Sequence, residues 1–477
     1  MEVMTSLCLC SSPEPNESLL SSLLDGYRQR MDVSLEKLVL VKQSVLDQMQ
    51  LGLSSKTQGL MMLPSFVDAF PSSLVASQTE ATYFAIDLGG TSLKLVQIKL
   101  MGGKLVDVRK REWSIPNECY YTDNGRLLAW IVECFVEFTS IKCPIIGFCY
   151  SFACRQDNLD HGEQLLWTKR FHGTGLLGTD VVQALRDAFS RHGIDAVIPA
   201  LMNDSVASLV GAQFADPRVQ ASVILGTGTN CSYIEDVENI KTLPKVYRRH
   251  GDRMIINTEW GDCSLPKELR ITVEEDEAVD HASANPGHGL FEKLISGLYI
   301  GDVSRRILER IAVESGFLEG FDAPDGSFDG AVVSKVYHDT SADLCDVGAL
   351  LAESFGVLKT TRKERTAVRD VCMMVTKRSA RLCAAAMAAI ASREASASRG
   401  MRQEDAPIVI SVDGSTFTKF AGYRTLVEAA IDELRHADGA NGSAGTAALP
   451  LIELTVADGS SVSGAAVCAA VFTAIHT

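Results

Sequence analysis

Asp87-Leu88-Gly89-Gly90-Thr91 sets a carboxylate immediately before a turn of small residues, with Lys94 just beyond it. Far along the chain, Gly226-Thr227-Gly228-Thr229-Asn230 forms a second turn of the same kind. Glycine lets the backbone come close to an anion, and the N–H groups of such turns face phosphate oxygens. Two turns of this kind suggest two related half-sites closing on one nucleotide. Asp87 is placed to hold a magnesium ion through water, and Lys94 to reach phosphate oxygens. Neither segment is G-x-G-x-x-G or G-x-x-x-x-G-K-[ST], which disfavours dinucleotide-fold and P-loop readings. Taken alone, each is equally a plain hairpin turn.

A second group of polar residues suits a hydroxyl-rich ligand. Asn203-Asp204 closes a short apolar run, and a carboxylate there can accept a proton from a substrate hydroxyl during phosphoryl transfer. The competing reading of that pair is a helix N-cap, which on the pair alone is the favoured one. Ser151, Thr168, Lys169, Glu259 and Glu292 also stand in conspicuous settings. Together they supply the amides, hydroxyls and carboxylates that a polyol needs; singly, each is more often a capping or surface residue.

The elements that must position these groups follow from the hydrophobic pattern. Leu19 to Gly52 has helical periodicity with mixed charge, predicting one or two amphipathic helices. Leu63-Pro64-Ser65-Phe66-Val67 begins an extended segment. Tyr83 to Leu88 and Leu93 to Ile98 flank the first turn as a hairpin rather than a strand feeding a helix. Leu127 to Thr139 reads as a helix, Pro144 to Phe152 as a buried strand, and Val181 to His192 as a helix stopped by Gly193. A strand from Ala196 to Met202 leads into a helix from Ser205 to Phe214. After the second turn come a strand at Met254 to Thr258, several helices between Gly287 and Arg393, and a strand at Ile408 to Val412 that ends at Asp413-Gly414-Ser415. Asp438 to Thr446 reads as a mobile loop, Leu451 to Val456 as a last strand, and Val462 to Ile475 as a closing helix. The repetition is of half-domains, so the fold class is α/β with two lobes.

The chain has 477 residues, enough for two or three domains, and its 46% hydrophobic and 22% charged composition is that of a globular protein. A net charge of -15 argues against a nucleic-acid footprint. No apolar run approaches the ~18 residues of a membrane span. The first residues lack a charged n-region and cleavage pattern, so they read as a tail rather than a secretory signal. The 13 cysteines are scattered without a C-x-x-C pair, the pattern of reduced, buried, cytoplasmic cysteine.

In combination these motifs resemble the eukaryotic-type hexokinase family. The matching stretches are Phe84 to Thr91, Gly147 to Phe152, Trp167-Thr168-Lys169, Asn203-Asp204-Ser205-Val206 and Gly226 to Asn230. Asn257-Thr258-Glu259-Trp260-Gly261, Ser283-Ala284-Asn285-Pro286-Gly287 and Asp413-Gly414-Ser415 complete the set, and the likeness runs from about Leu63 to the C-terminus. It implies a two-lobed actin-like ATPase (ribonuclease H-like) fold with the active site in the interlobe cleft. The implied divisions are an N-terminal tail and helices at 1–76 joining the large lobe, a small lobe at 77–204, the large lobe at 205–461 and a helix at 462–477 returning to the small lobe. The implied activity is ATP- and Mg²⁺-dependent phosphorylation of the 6-hydroxyl of glucose, or of fructose or mannose, the first step of glycolysis.

Carried over residue by residue, the resemblance implies that Ser151, Thr168, Lys169, Asn203, Asp204, Asn230, Glu259 and Glu292 hold the sugar, with Asp204 as catalytic base and Lys169 beside it. Asp87, Gly89, Gly90, Thr91, Lys94, Gly226 and Thr227 would face the ATP phosphates and Mg²⁺, and Gly414 and Ser415 would lie near the adenosine. The chain departs from the usual pattern at Ser92 and Lys94 (usually Asn and Arg), Ala153 (usually Pro), Arg170 (usually Gly) and a lengthened segment from Asp458 to Ala466. Two rivals stay open on sequence alone: a non-catalytic sugar sensor or scaffold on the same fold, and an ATPase of the actin or chaperone type that needs no sugar.

Overall fold

A computed structural model describes residues 16–68, 80–102, 104–167, 170–248, 252–398, 406–440, 448–456 and 464–470. The chain opens with two helices, α1 (Glu17–Met31) and α2 (Leu35–Ser54), capped by Asn16 and Ser34, whose side chains accept from Leu19 N and Lys37 N. Strand β1 (Leu63–Asp68) precedes the hairpin β2 (Ala81–Leu88) and β3 (Ser92–Met101), then β4 (Lys104–Ser114) and α3 (Arg126–Phe138). Next come β5 (Ile145–Tyr150), a small hairpin of β6 (Cys154–Asn158) and β7 (His161–Gln164), α4 (Val181–Arg191), β8 (Val197–Met202) and α5 (Asp204–Ala215). A second long hairpin, β9 (Val219–Leu225) and β10 (Thr229–Asp236), is followed by β11 (Arg253–Asn257). Six helices then run in succession: α6 (Glu274–Ala282), α7 (Leu290–Ile295), α8 (Gly297–Ser315), α9 (Gly330–His338), α10 (Cys345–Phe355) and α11 (Arg362–Ala397). The described chain closes with β12 (Ile408–Asp413), α12 (Ser415–Thr418), α13 (Ala421–Ala440), β13 (Ile452–Val456) and a helix over 464–470.

Among the described residues the long strands form two sheets built on one plan. The first has the order β4-β3-β2-β5-β8; the second runs β11-β10-β9-β12-β13, with β1 added outside β11. In each, an antiparallel meander of three strands is extended by two parallel strands beside the first. Each glycine-threonine turn therefore occupies the same place, at the tip of the first hairpin. That repeat is the half-domain duplication expected from the sequence, and it is the two-lobed actin-like architecture.

Three apolar clusters hold this frame. One lies between the first sheet and α3 and α4, where Phe84, Phe135 and Phe189 meet edge to face with centroids 5.4 and 5.1 Å apart. The largest packs α1, α2 and the later helices against the second sheet around α11, whose Ala384 to Ala391 run is fully buried. Alanine suits it, being the best helix former and small enough for close helix contacts. A capping box at Thr361 and Glu364 starts that helix. The third cluster joins the two sheets, with Ala85, Cys149 and Met202 facing Val206 and Val210 of α5, Ile255 and Val409, and Ala465 of the 464–470 helix. Burial of each larger side chain among these, such as Met202, Val206 or Ile255, contributes roughly 1.5–3 kcal/mol.

One expectation is corrected. The predicted loop at Asp438 to Thr446 begins as helix, because α13 runs on to Ala440, propagating from its buried Val427, Ala430 and Leu434 stripe; 441–447 lie outside the described residues. Among the described residues no helix is long and apolar enough to cross a membrane.

Candidate active site

The ends of three parallel strands set the first half of the site. In β2, β5 and β8, Asp87 lies beside Cys149 and Cys149 beside Met202. The chain beyond each strand then delivers Gly89 to Thr91, Ser151 and Asn203-Asp204 to one edge of the sheet, where ligands collect in open α/β folds. Burial, reinforced by the charges of Asp87 and Asp204, pushes the Cys149 thiol well above its ordinary range, so both carboxylates act on one point. Asp87 is buried, with Lys94 Nζ 4.0 Å from its Oδ2. Burial works against the Lys94 charge, but Asp87, Glu112 and Asp413 outweigh it and raise that ammonium above its usual value. Asp413 ends β12 of the other sheet, so Lys94 feels a charge from across the cleft.

The first turn is tight: Gly89 N donates to Ser92 O at 3.0 Å. The second is its counterpart, with Gly226 N donating to Gly228 O at 3.0 Å. Thr91, Thr227 and Ser415 are exposed at these turns. Gly414, at φ 114°, lies against the second turn so closely that a Cβ there would come within 2.3 Å of Leu225 O. Only glycine fits this backbone and this approach. The Gly226 carbonyl accepts from Gly297 N at 2.8 Å and from Thr416 Oγ1 at 3.1 Å, tying the turn to α8 and α12.

Around Asp204 the polar residues form one network. Asn203 is the N-cap of α5 as well as a member of it: its Oδ1 accepts from Ser205 N at 2.9 Å and from Asn230 Nδ2 at 3.1 Å. Asn230 Nδ2 also reaches Asn257 Oδ1 at 2.9 Å and Glu259 Oε1 at 3.3 Å, while Asn257 Nδ2 donates to Glu259 Oε1 at 2.8 Å. Asp204 is the first residue of α5, where the helix dipole favours a negative charge. Ser205 Oγ meets Ser232 Oγ at 2.6 Å, and Ser222 Oγ donates to Ser208 Oγ at 2.9 Å, so α5 is stitched to the second sheet through buried hydroxyls.

Glu259 sits at φ 51°, a left-handed conformation that costs a non-glycine residue energy. Its neighbours hold it there: Thr258 bonds Cys231 O through both N (3.0 Å) and Oγ1 (2.8 Å), and fully buried Trp260 donates from Nε1 to Thr229 Oγ1 at 2.9 Å. Burial, with further repulsion from Asp204, Asp262 and Glu292, raises Glu259 to about 7 despite the opposing Asn257 bond. Glu292 completes the cluster from α7, its Oε2 accepting from Thr229 N at 2.8 Å. A Cβ on Gly228 would come within 2.6 Å of that oxygen, which explains the second glycine of the turn.

The structure thus unites Asn203, Asp204, Asn230, Glu259 and Glu292 beside the second turn, and Asp87, Lys94 and Ser151 on the facing sheet edge. Thr168 and Lys169 lie outside the described residues, as do 458–463 of the lengthened segment. The residues flanking the former pair are firmly placed. Trp167 stacks on Phe171 with centroids 5.0 Å apart at 14°, and the Arg170 guanidinium lies 4.6 Å from the Tyr120 ring centre. Asn257 and Asp413 were not singled out as site residues from the sequence, although both stand inside motifs quoted for the resemblance. The Ser205–Ser232 bond had no sequence signal, since it depends on two sheets meeting.

Comparison with known proteins gives the family and the fold. Two family models, each described as hexokinase, match residues 23–214 and 220–471. Hexokinase-1 of Oryza sativa subsp. japonica is 32% identical over 474 residues, covering 90% of this chain and 91% of its own. Hexokinase-1 of Arabidopsis thaliana is 32% identical, covering 94% of this chain and 90% of its own. Among solved structures, the hexokinase from Schistosoma mansoni complexed with glucose superposes with a TM-score of 0.80 at 25% identity, covering 96% of this chain and 99% of that one.

Proposed function

The chain belongs to the hexokinase family, and from that premise we propose that its cleft transfers the γ-phosphoryl group of ATP to the 6-hydroxyl of glucose or a related hexose such as fructose or mannose, at the entry to glycolysis. The observation that carries this reading is the network beside Asp204: the amides of Asn203, Asn230 and Asn257 and the Glu259 carboxylate are bonded together at the N-terminus of α5, with Glu292 held by Thr229 N in the glycine turn that can take phosphate.

In this reading Asn203, Asn230, Glu259 and Glu292 hold the sugar hydroxyls, with Ser151, Thr168 and Lys169 closing the other side. The amide of Asn230 is fixed by Asn203, Asn257 and Glu259, so no search among its rotamers is left at binding. Asp204 accepts the proton of the 6-hydroxyl as the phosphoryl group moves in line. Gly89, Gly90, Thr91 and Lys94 on one edge, with Gly226 and Thr227 on the other, give backbone donors and one cation to the phosphates. Gly414 and Ser415 border the adenosine.

The residues present fit magnesium bound mainly through the nucleotide. Among the described residues no group of three or more metal-ligating side chains converges, and magnesium typically keeps water and uses one or two carboxylates plus phosphates. Asp87, buried and already facing Lys94, would meet the ion through water. When bound, the ion offsets charge on the transferring phosphates.

The same reading assigns 77–204 to the small lobe, 205–461 to the large lobe with 1–76 against it, and 462–477 to a helix returning to the small lobe. Ala465 packed against Gly147 of β5 supports the last of these. It also places the protein in the cytoplasm, in keeping with cysteines that are all free among the described residues; imaging a fluorescent fusion in cells checks that location. The decisive experiment couples ADP release to a reporter, with and without glucose. Glucose-dependent turnover is expected. Sugar binding without turnover would convert the reading to a sensor, and equal turnover without sugar would convert it to a simple ATPase.

A further inference from the structure

Lys293 follows Glu292 directly in sequence yet faces the other way. It is buried, with 4% of its surface exposed, and all three ammonium protons are used: Nζ donates to Asp280 Oδ1 at 2.6 Å, Asn285 O at 2.9 Å and His288 O at 2.8 Å. Asp280 in turn accepts from Gly287 N through both carboxylate oxygens at 3.0 Å. Gly289 N, at the start of α7, donates to Asp262 Oδ1 at 2.5 Å. The loop from Ser283 to Gly289 is therefore held at Asn285, Gly287, His288 and Gly289 by charged side chains that are not among those assigned to sugar or phosphate.

A buried cation that reaches two carbonyls and a carboxylate is costly to assemble and severe to break. The bland reading is a stabilising ion pair. The position of α7 argues for more. This helix has only six residues, far too few to hold its own shape. One of its faces carries Glu292 to Thr229 N at 2.8 Å, another sends Phe291 against Trp260, and the third is fixed by Lys293. Since α7 has fewer than two turns, its few anchors set the place of the Glu292 carboxylate, and Lys293 is one of them, beside buried Phe291 and the Ser379 Oγ bond to Ile295 O at 2.8 Å.

We propose that Lys293 and Asp280 are positioning residues for sugar recognition, acting through Glu292 by clamping the 283–289 loop and the register of α7. This rests on the reading of Glu292 as a sugar ligand. The pair touches neither the sugar nor the phosphates, so its effect belongs to sugar affinity and not to the nucleotide.

The test compares Glu292→Gln, Asp280→Asn, Lys293→Met and Lys293→Arg in the full-length protein, measuring KM for glucose and for ATP, kcat and the thermal midpoint. Asp280→Asn and Lys293→Met are expected to raise the glucose KM on the order of 10-fold, as small misplacements of binding groups do, with the ATP KM within a factor of about two. Lys293→Arg is expected to restore part of the glucose affinity. In the Glu292→Gln background, Asp280→Asn should add little further to the glucose KM. If Glu292→Gln itself leaves the glucose KM unchanged, the sugar role of Glu292 fails. If Glu292→Gln raises it but the clamp variants lower only the thermal midpoint, or raise both KM values alike, the positioning role alone is overturned. Should Lys293→Met not fold, Asp280→Asn, which keeps an acceptor in place, decides the question.

Discussion

Asn257 Nδ2 donates to Glu259 Oε1 at 2.8 Å across a single intervening residue, and the bond survives a left-handed backbone at Glu259. Asn257 and Asn230 both present amide N–H groups to the same carboxylate oxygen, so Glu259 is oriented before any ligand arrives. That orientation is what a polyol site needs, and it comes with an unusual titration.

Glu259 titrates at about 7, above the usual carboxylate range, with burial as the leading cause. A sugar hydroxyl donates best to the ionised form. The glucose kcat/KM is therefore expected to fall as pH drops through about 7, and Glu259→Gln should remove that limb while weakening sugar binding at pH 8. The stability sign is the reverse. Between the unfolded value of 4.5 and about 7 the native state binds more protons than the unfolded chain, so this residue's contribution to stability declines as pH rises through that window. Thermal melts of wild type and Glu259→Gln at pH 5.5 and 8 check it: the variant should gain relative to wild type at the higher pH.

Asp204→Asn keeps the shape and the helix start but cannot take a proton. Turnover should drop by at least ~10²-fold, the low end for loss of a general base, while glucose affinity measured by Trp fluorescence stays within a few-fold. Near-normal kcat would remove Asp204 from the catalytic role.

Lys94 is the cation of the first turn and senses carboxylates of both sheets. Lys94→Met should raise the ATP KM on the order of 10-fold, the worth of one charge-assisted hydrogen bond, and leave the glucose KM in place. Lys94→Arg should preserve ATP binding. An unchanged ATP KM in Lys94→Met would refute contact with the phosphates.

Gly414→Ala has no room: its φ of 114° and the Leu225 carbonyl both oppose a methyl group. We expect a loss of about 1–3 kcal/mol in stability, as for other backbone positions of this kind, together with a raised ATP KM. Calorimetry and steady-state kinetics on the variant measure both. Unaltered melting would mean that the second turn moves freely away from Gly414.

The first hairpin was legible because glycine punctuates it and apolar runs flank it, whereas the second turn was legible only from its glycines and the apolar run before it. Asn203-Asp204 was legible in two ways that proved compatible, since Asn203 caps α5 and bonds Asn230 with the same oxygen. Strand β10 was hidden because Asn230, Ser232 and Glu235 are buried polar residues, satisfied in part by partners from α5, β11 and α11 that are distant in sequence. An apolar pattern cannot reveal a strand whose interior is a hydrogen-bond network. Helix α6 was missed for a similar reason: its first turn is four successive acidic positions, three of them glutamate, and Asp276 is stabilised by Arg378 from α11, distant in sequence. The Lys293–Asp280 clamp likewise exists only once α6 and α7 are adjacent.

The two serine pairs along α5 carry a last consequence. This helix grows out of the first sheet at Asp204 and is bonded to the second through Ser205–Ser232 and Ser208–Ser222. The third apolar cluster and the 464–470 helix join the sheets as well, so α5 is one of several fastenings between them. Asp204, proposed above as the proton acceptor, stands at the head of that helix, where the two halves of the molecule meet, so its carboxylate is positioned by both of them.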